Sequence, residues 1–95
     1  MHIITRSRLI EFWKKHPDSE TPLRAWFGIA KHARWSNIAD VRRLHPEADK
    51  VGKFTVFNIG GNKYRLIVEI AFKLGRIYIR NVLTHAKYDR GRWKS

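Results

Sequence analysis

Four side chains in the C-terminal half have the types and spacing to act on a phosphodiester. Arg65 lies in "NKYRLIVEI" and Arg80 in "RIYIRNVL". His85 and Tyr88 follow in "THAKYD", three apart and so on one side of a helical turn. Arginine's planar fork matches phosphate oxygens and stays charged at any ordinary pH. Histidine moves protons near neutrality. A tyrosine can donate a proton, orient a phosphate or stack on a base. Together they suit a chain cleavage in which a ribose 2′-hydroxyl attacks the adjacent phosphorus. A base would take its proton, cations would hold the pentavalent phosphorane, and an acid would protonate the leaving oxygen. By strand parity Lys63, Arg65 and Arg80 share one sheet face. Asn62, Lys63, Lys87, Arg90 and Arg92 surround the four as candidate contacts to the polymer. Taken singly, a strand arginine usually solubilises an exposed face and a histidine after a strand usually caps or packs. The alignment of several of them is what favours anion binding.

The acids argue by their scarcity. Residues 1–49 carry 9 basic and 6 acidic side chains, whereas residues 50–95 carry 11 basic and 2 acidic, Glu69 and Asp89. A two-carboxylate hydrolase or a two-metal nuclease needs more acids than that half supplies. No two histidines have the spacing of a metal motif, and there are no cysteines, so disulfides and cysteine-held zinc or iron–sulfur sites are excluded. The expectation is no metal and no cofactor. The net charge of +12 on 95 residues is the footprint of a polyanion partner. The opening "MHIITRSRLIEFWKK" lacks the apolar core of a signal peptide, and no apolar run approaches membrane-spanning length. The expectation is a cytoplasmic protein with no membrane contact.

The elements that must position these groups read as follows. "HIIT" is a short strand. "SRLIEFWKKH" puts Leu9, Phe12 and Trp13 on one helical face, and Pro17 stops it. A second helix follows, with Asp18 or Ser19 as its cap and Leu23, Trp26, Phe27 and Ala30 as its apolar stripe. "SNIADVRRLHP" is one more short helical turn. From Val51 the period changes to two. "KFTVFNI" sets Phe54 and Val56 against Thr55 and Phe57. Gly60, Gly61 and Asn62 make a hairpin turn. Tyr64, Leu66, Val68 and Ile70 then face one way, and Arg65, Ile67 and Glu69 the other. In the last strand Ile77, Ile79 and Leu83 face the core. Thr84 caps a helical turn, and a basic tail follows that cannot bury much, which leaves Trp93 free to stack on a base or on the partner. Length and the absence of a linker point to a single domain over residues 1–95. The fold class is α+β, with an N-terminal short strand and two to three helices packed on one face of a twisted antiparallel sheet and the other face partly open.

"VFNIGGNKYRLIV" and "RIYIRNVLTHAKYDRGRW" resemble the HigB family of bacterial type II toxins, within the RelE/ParE superfamily. The resemblance covers nearly the whole chain. It implies an α+β RelE-like domain and an mRNA endoribonuclease, in many members dependent on the ribosome, whose cutting stops translation. It also implies a HigA-type helix-turn-helix antitoxin as partner. The positions it carries over are Asn58, Asn62, Arg65, Arg80, Thr84, His85, Tyr88 and Asp89. Two other readings fit a basic domain of this kind: a nucleic-acid-binding module without catalysis, and a ParE-like poison of DNA gyrase.

Overall fold

The computed structural model describes residues 1–94. Strand β1 (His2–Ile4) leads into α1 (Ser7–Lys15), a 3-10 turn (Pro17–Ser19), α2 (Glu20–His32) and α3 (Ile38–Leu44). Then come β2 (Asp49–Val51), β3 (Phe54–Ile59), β4 (Tyr64–Ala71), β5 (Arg76–Thr84) and α4 (His85–Asp89). The strands form one sheet in the order β1-β5-β4-β3-β2. The expected antiparallel meander is β3-β4-β5, extended at one edge by β2, which is too short to announce itself by alternation. β1 joins the opposite edge and runs parallel to β5, pairing only with Arg76–Tyr78. The sheet is therefore mixed rather than wholly antiparallel.

The helices pack on one sheet face because each has one apolar stripe. α1 buries Leu9 and Trp13, and α2 buries Leu23, Trp26 and Ala30. Asp18 and Ser19 lie in the 3-10 turn, and Ser19 holds the N-cap position of α2 as expected, although its hydroxyl donates to the His16 carbonyl at 2.7 Å instead of capping the helix. α3 runs longer than one turn, capped by Asn37, whose side chain accepts from the Asp40 amide at 3.0 Å. Phe57, fully buried on β3, joins these elements. Trp26 and His45 meet its ring edge-on at 5.4 and 5.0 Å, and Trp35 stacks on it at 6.4 Å. Burial pushes the His45 imidazole below its ordinary pKa, against the pull of Glu47.

Two features depart from simple alternation. Ile67 pairs with Asn81 but Val68 with Ile79, so Arg80 is an extra, bulged residue. Ile77 and Ile79 face the main core as expected, but beyond the bulge parity inverts. Val82 takes the core side, and Leu83 turns to the opposite face. That face is also less open than expected. Val56, Ile67 and Trp93 form a second apolar cluster there, with Val51, Phe54, Leu83 and Tyr88 against it. Gly91, at φ 72°, turns the tail back, and Trp93 is only 9% exposed. It is packed rather than free to stack on a base.

Lys63 also lies elsewhere than strand parity places it. It belongs to the turn before β4, and its ammonium reaches Asp18 at 2.9 Å on the helix side. Asp18 accepts the Tyr64 phenol as well, at 2.6 Å. This pair of bonds pins the α1–α2 junction to the hairpin. The Tyr64 bond, then Lys63, hold the Asp18 carboxyl below its ordinary value of 3.8, and Asp18 raises Lys63 above 10.5. A lowered carboxyl adds stability that is complete above its unfolded pKa and lost as pH falls through the folded one. A raised ammonium adds stability that is complete below its unfolded pKa and lost as pH rises through the folded one.

Two outcomes follow. Phe57→Ala should cost about 3–5 kcal/mol in urea denaturation, and a loss of about 1 kcal/mol or less would mean that the core is not centred on this ring. The stability gap between wild type and Asp18→Asn should be flat across neutrality, shrinking well below pH 3.8 and again above pH 10.5. A gap undiminished in strong acid would assign the Asn defect to something other than the lost charge.

Candidate nucleic-acid interface

The β4–β5 register brings the hairpin turn and α4 together. Tyr64 pairs with Thr84, and the His85 amide donates to the Lys63 carbonyl at 3.0 Å. Gly60 and Gly61, at φ 63° and 69°, make the turn tight enough for this. Thr84 caps α4 as expected, its hydroxyl accepting from the Lys87 amide at 3.3 Å. Asn62, Arg65, His85 and Tyr88 thus converge at one end of the sheet from two stretches of chain that the rest of β4 and all of β5 separate.

Arg65 has the least ordinary environment of the group. It points to the non-helix face yet is only 8% exposed. Its guanidinium donates to the Asn62 side-chain oxygen at 2.6 Å and to the Asn62 and Tyr64 carbonyls at 3.3 and 3.1 Å. The Tyr88 ring lies 5.5 Å from its central carbon. Among the described residues it forms no ion pair with a carboxylate. Carbonyl dipoles and a ring face offset part of the cost of burying this charge, and they leave it without a countercharge. An incoming anion would supply one, in surroundings that screen the attraction less than water does.

Tyr88 and Trp93 hold each other in place. Their rings stack at 5.0 Å, and the indole N–H donates to the Tyr88 carbonyl at 2.9 Å. Phe54 closes the cluster, edge-on to Trp93 at 5.7 Å. Burial first, then Asp49, raise the Tyr88 phenol above its ordinary value, so it keeps its proton at neutral pH. His85 is exposed, and its Nε2 lies 3.4 Å from an Asp89 carboxylate oxygen.

Arg80 stands apart from this group. At about 3.3 Å per residue, five positions of strand separate it from His85 by roughly 16 Å. Its Nε bonds Glu69 at 2.9 Å, it lies over Tyr78, and Lys53 also approaches Glu69 at 3.9 Å. Of the four residues with proposed chemistry, Arg65 and Tyr88 are in contact, His85 shares Tyr88's helix, and Arg80 belongs to a separate cluster. Asn62 is at Arg65, while Lys63 is committed to Asp18. Lys87, Arg90 and Arg92 line a cleft of about 290 Å³ with Asn81, Leu83 and Trp93. Sequence reasoning missed Trp93 as the prop behind Tyr88. Gly91 two residues earlier was the one available sign that the tail turns back. Among the described residues, no three histidine, aspartate or glutamate side chains form a metal-holding group, and no helix is long and apolar enough to cross a membrane.

The fold and this face define a small α+β domain with buried and exposed cations gathered at one end of its sheet. The chain belongs to the HigB toxin family: the family model described as a RelE-like toxic component of a toxin-antitoxin system matches residues 19–91. It is 32% identical over 92 residues to the mRNA interferase toxin HigB of Escherichia coli K12, covering 94% of this chain and 88% of that one. The mRNA interferase HigB of Shigella flexneri matches to the same extent. That of Escherichia coli O6:H1 is 29% identical over 93 residues, covering 95% and 90%.

Trp93→Ala should cost about 3 kcal/mol by removing a buried ring. It should also free Tyr88, so that the phenol's spectrophotometric titration moves down toward the ordinary value of 10.0. An unmoved titration would mean that Trp93 does not set Tyr88's environment.

Proposed function

We propose that this chain is the toxin of a type II toxin–antitoxin pair and a metal-independent endoribonuclease that cuts ribosome-associated mRNA and stops translation. The observation that carries this reading is the buried Arg65 guanidinium, without a carboxylate, beside a protonated Tyr88 and on the hairpin that meets His85. Relatives named mRNA interferases support the substrate.

In this mechanism the 2′-hydroxyl at the cut site is the nucleophile. Nδ1 of His85 takes its proton as the new O–P bond forms, and Asp89 stabilises the resulting imidazolium. Arg65 pairs with the non-bridging oxygens, and its attraction grows as negative charge builds in the phosphorane. The Tyr88 phenol gives its proton to the departing 5′ oxygen. The products are a 2′,3′-cyclic phosphate and a 5′-hydroxyl. Asn62 fixes the Arg65 fork. Lys87, Arg90 and Arg92 hold the phosphate backbone. Lys63 supports the site indirectly by fixing the hairpin, and Arg80 contacts the strand away from the cut. Carboxylates in the C-terminal half are too few for a two-metal route. The proposal places this activity in one domain over residues 1–95, in the cytoplasm where messages are translated. The neutralising partner is a HigA-type helix-turn-helix antitoxin that presents an acidic surface to the +12 charge.

The test is mapping of RNA ends after brief expression. Wild type should give discrete cuts ending in cyclic phosphates. His85→Ala, at an exposed position, should lower cutting about 10²–10⁴-fold without unfolding. Arg65→Lys should not rescue the site, because an ammonium lacks the fork that Asn62 holds. Intact RNA with arrested growth would move the reading to a gyrase poison or a binding module, and full activity of His85→Ala would overturn the assignment of the base.

A further inference from the structure

Among the described residues, the outer edge of β5 has a strand partner only at Arg76–Tyr78. Beyond that pairing, a cleft of about 460 Å³ separates Arg80–Val82 of β5 from α1. One wall is α1 and its approach, with Arg8, Glu11 and Lys15. The other is Arg80, Asn81 and Val82 of β5. Three cations line it beside one acid, Glu11, and of the three Arg80 is also paired with Glu69 through its Nε. Arg8 is fixed in position, since its guanidinium donates to the Arg80 carbonyl at the bulge. Asn81 also lines the second cleft, on the other flank of β5, with Lys87 and Arg90. Residues 80–82 are therefore a rib with a basic cleft on each side, and Asn81 is its crest. The bulge makes the rib: the extra residue sends Arg80 and Asn81 out of regular alternation, so neighbouring side chains serve both clefts.

We propose that the α1–β5 cleft is a second phosphate-binding site, which holds the RNA strand flanking the cut after it crosses the rib at Asn81. Arg8, Lys15 and Arg80 bind backbone phosphates there. Asn81 offers an amide donor and acceptor to whichever base or 2′-hydroxyl lies at the crossing. The inference rests on the RNA-cleaving reading and extends it to the roughly 16 Å of strand between His85 and Arg80. It accounts for Arg80, which is too far from His85 to share one phosphate with it. It also makes substrate length a determinant of binding.

The test uses 2′-O-methyl oligonucleotides, which lack the nucleophile, of about 4 and about 16 nucleotides, lengths that bracket common single-strand site sizes. Affinity is read by fluorescence anisotropy across a salt series. Arg8→Gln with Lys15→Gln should weaken the long oligonucleotide about tenfold or more, as expected for charge-assisted contacts. Its salt slope should fall by about 1.4, at about 0.7 per phosphate lost. The short oligonucleotide should bind as to wild type. Lys14→Gln with Lys31→Gln removes the same charge away from the cleft and should change neither. Lys15→Gln alone, at an exposed position, should give about half the slope change should the double variant fail to fold. Equal losses for both lengths, or equal losses in the control pair, would overturn the site by reducing it to net charge. Wild-type cutting of unmodified RNA without length-dependent loss would overturn this site and leave the nuclease standing. Length-dependent loss with unmodified RNA left intact would overturn the nuclease and keep the site as a binding track.

Discussion

The pairing of β4 with β5, with one extra residue at Arg80, is the constraint from which the rest follows. β4 is the central strand and is buried on both faces, so its register cannot slip without exposing one apolar set or the other. That register sets Tyr64 opposite Thr84, and so brings the hairpin turn to the first turn of α4. The bulge then inverts parity in β5. Ile77 and Ile79 serve the helix-side core, while Leu83 joins Trp93 and Tyr88 on the other side. A regular strand would put Leu83 under the helices and leave Tyr88 without a floor. The second apolar cluster, and the shielding it gives Arg65, depend on that inserted residue.

A buried arginine is costly, and here the cost is met without a carboxylate. Asn62 supplies one side-chain oxygen and one carbonyl, Tyr64 a second carbonyl, and Tyr88 a ring face. All are dipoles or quadrupoles, so the guanidinium is solvated but not neutralised. Ion-pairing it with an acid would have made the fold easier to hold and would have spent the field that an anionic ligand needs. Arg80 is the contrast: bound to Glu69 and nearly half exposed, it offers a weaker and more screened field. The same residue type thus has two different strengths on one sheet, decided by burial and by whether a carboxylate is near.

Much of this was legible in the sequence wherever a local rule was strong. The alternation of β4, the glycine turn, the Thr84 cap and the apolar stripes of α1 and α2 each reflect chemistry within a few residues. What was hidden depends on contacts between distant segments. β1 pairs with β5 across more than seventy residues, and three residues of "HII" do not say which edge or direction they will take. A bulge has no composition of its own, so strand parity misassigned Leu83. Lys63 was read as a strand residue when it is a turn residue, and the turn lets it reach Asp18. Trp93 looked exposed because its neighbours are basic, but Phe54 and Ile67 supply the apolar surface that draws it in. The candidate site was therefore legible as a list of residue types and only partly as a place: Arg65 and Tyr88 meet, and Arg80 does not join them.

The acidic residues explain why so much of the positive field survives folding. Among the described residues, carboxylates are engaged in pairs: Asp18 with Lys63, Glu20 with Arg24, Asp40 with Arg43, Glu47 with His45, Glu69 with Arg80 and Asp89 with His85. Of these, Asp18, Glu20, Asp40 and Glu47 lie in the helical half or its loops, where they fix turns and helix ends. Near the cationic face Glu69 holds Arg80 and is approached by Lys53, Asp89 lies against the His85 imidazole, and Asp49 is close enough to raise the Tyr88 phenol. Lys87, Arg90 and the Arg65 guanidinium have no carboxylate partner among the described residues. Eleven cations in the second half are thus opposed by two acids, and the compact state bears that repulsion until an anion or an acidic partner relieves it. The face that would bind RNA is for the same reason the face that a neutralising protein would recognise by charge, and the two should compete.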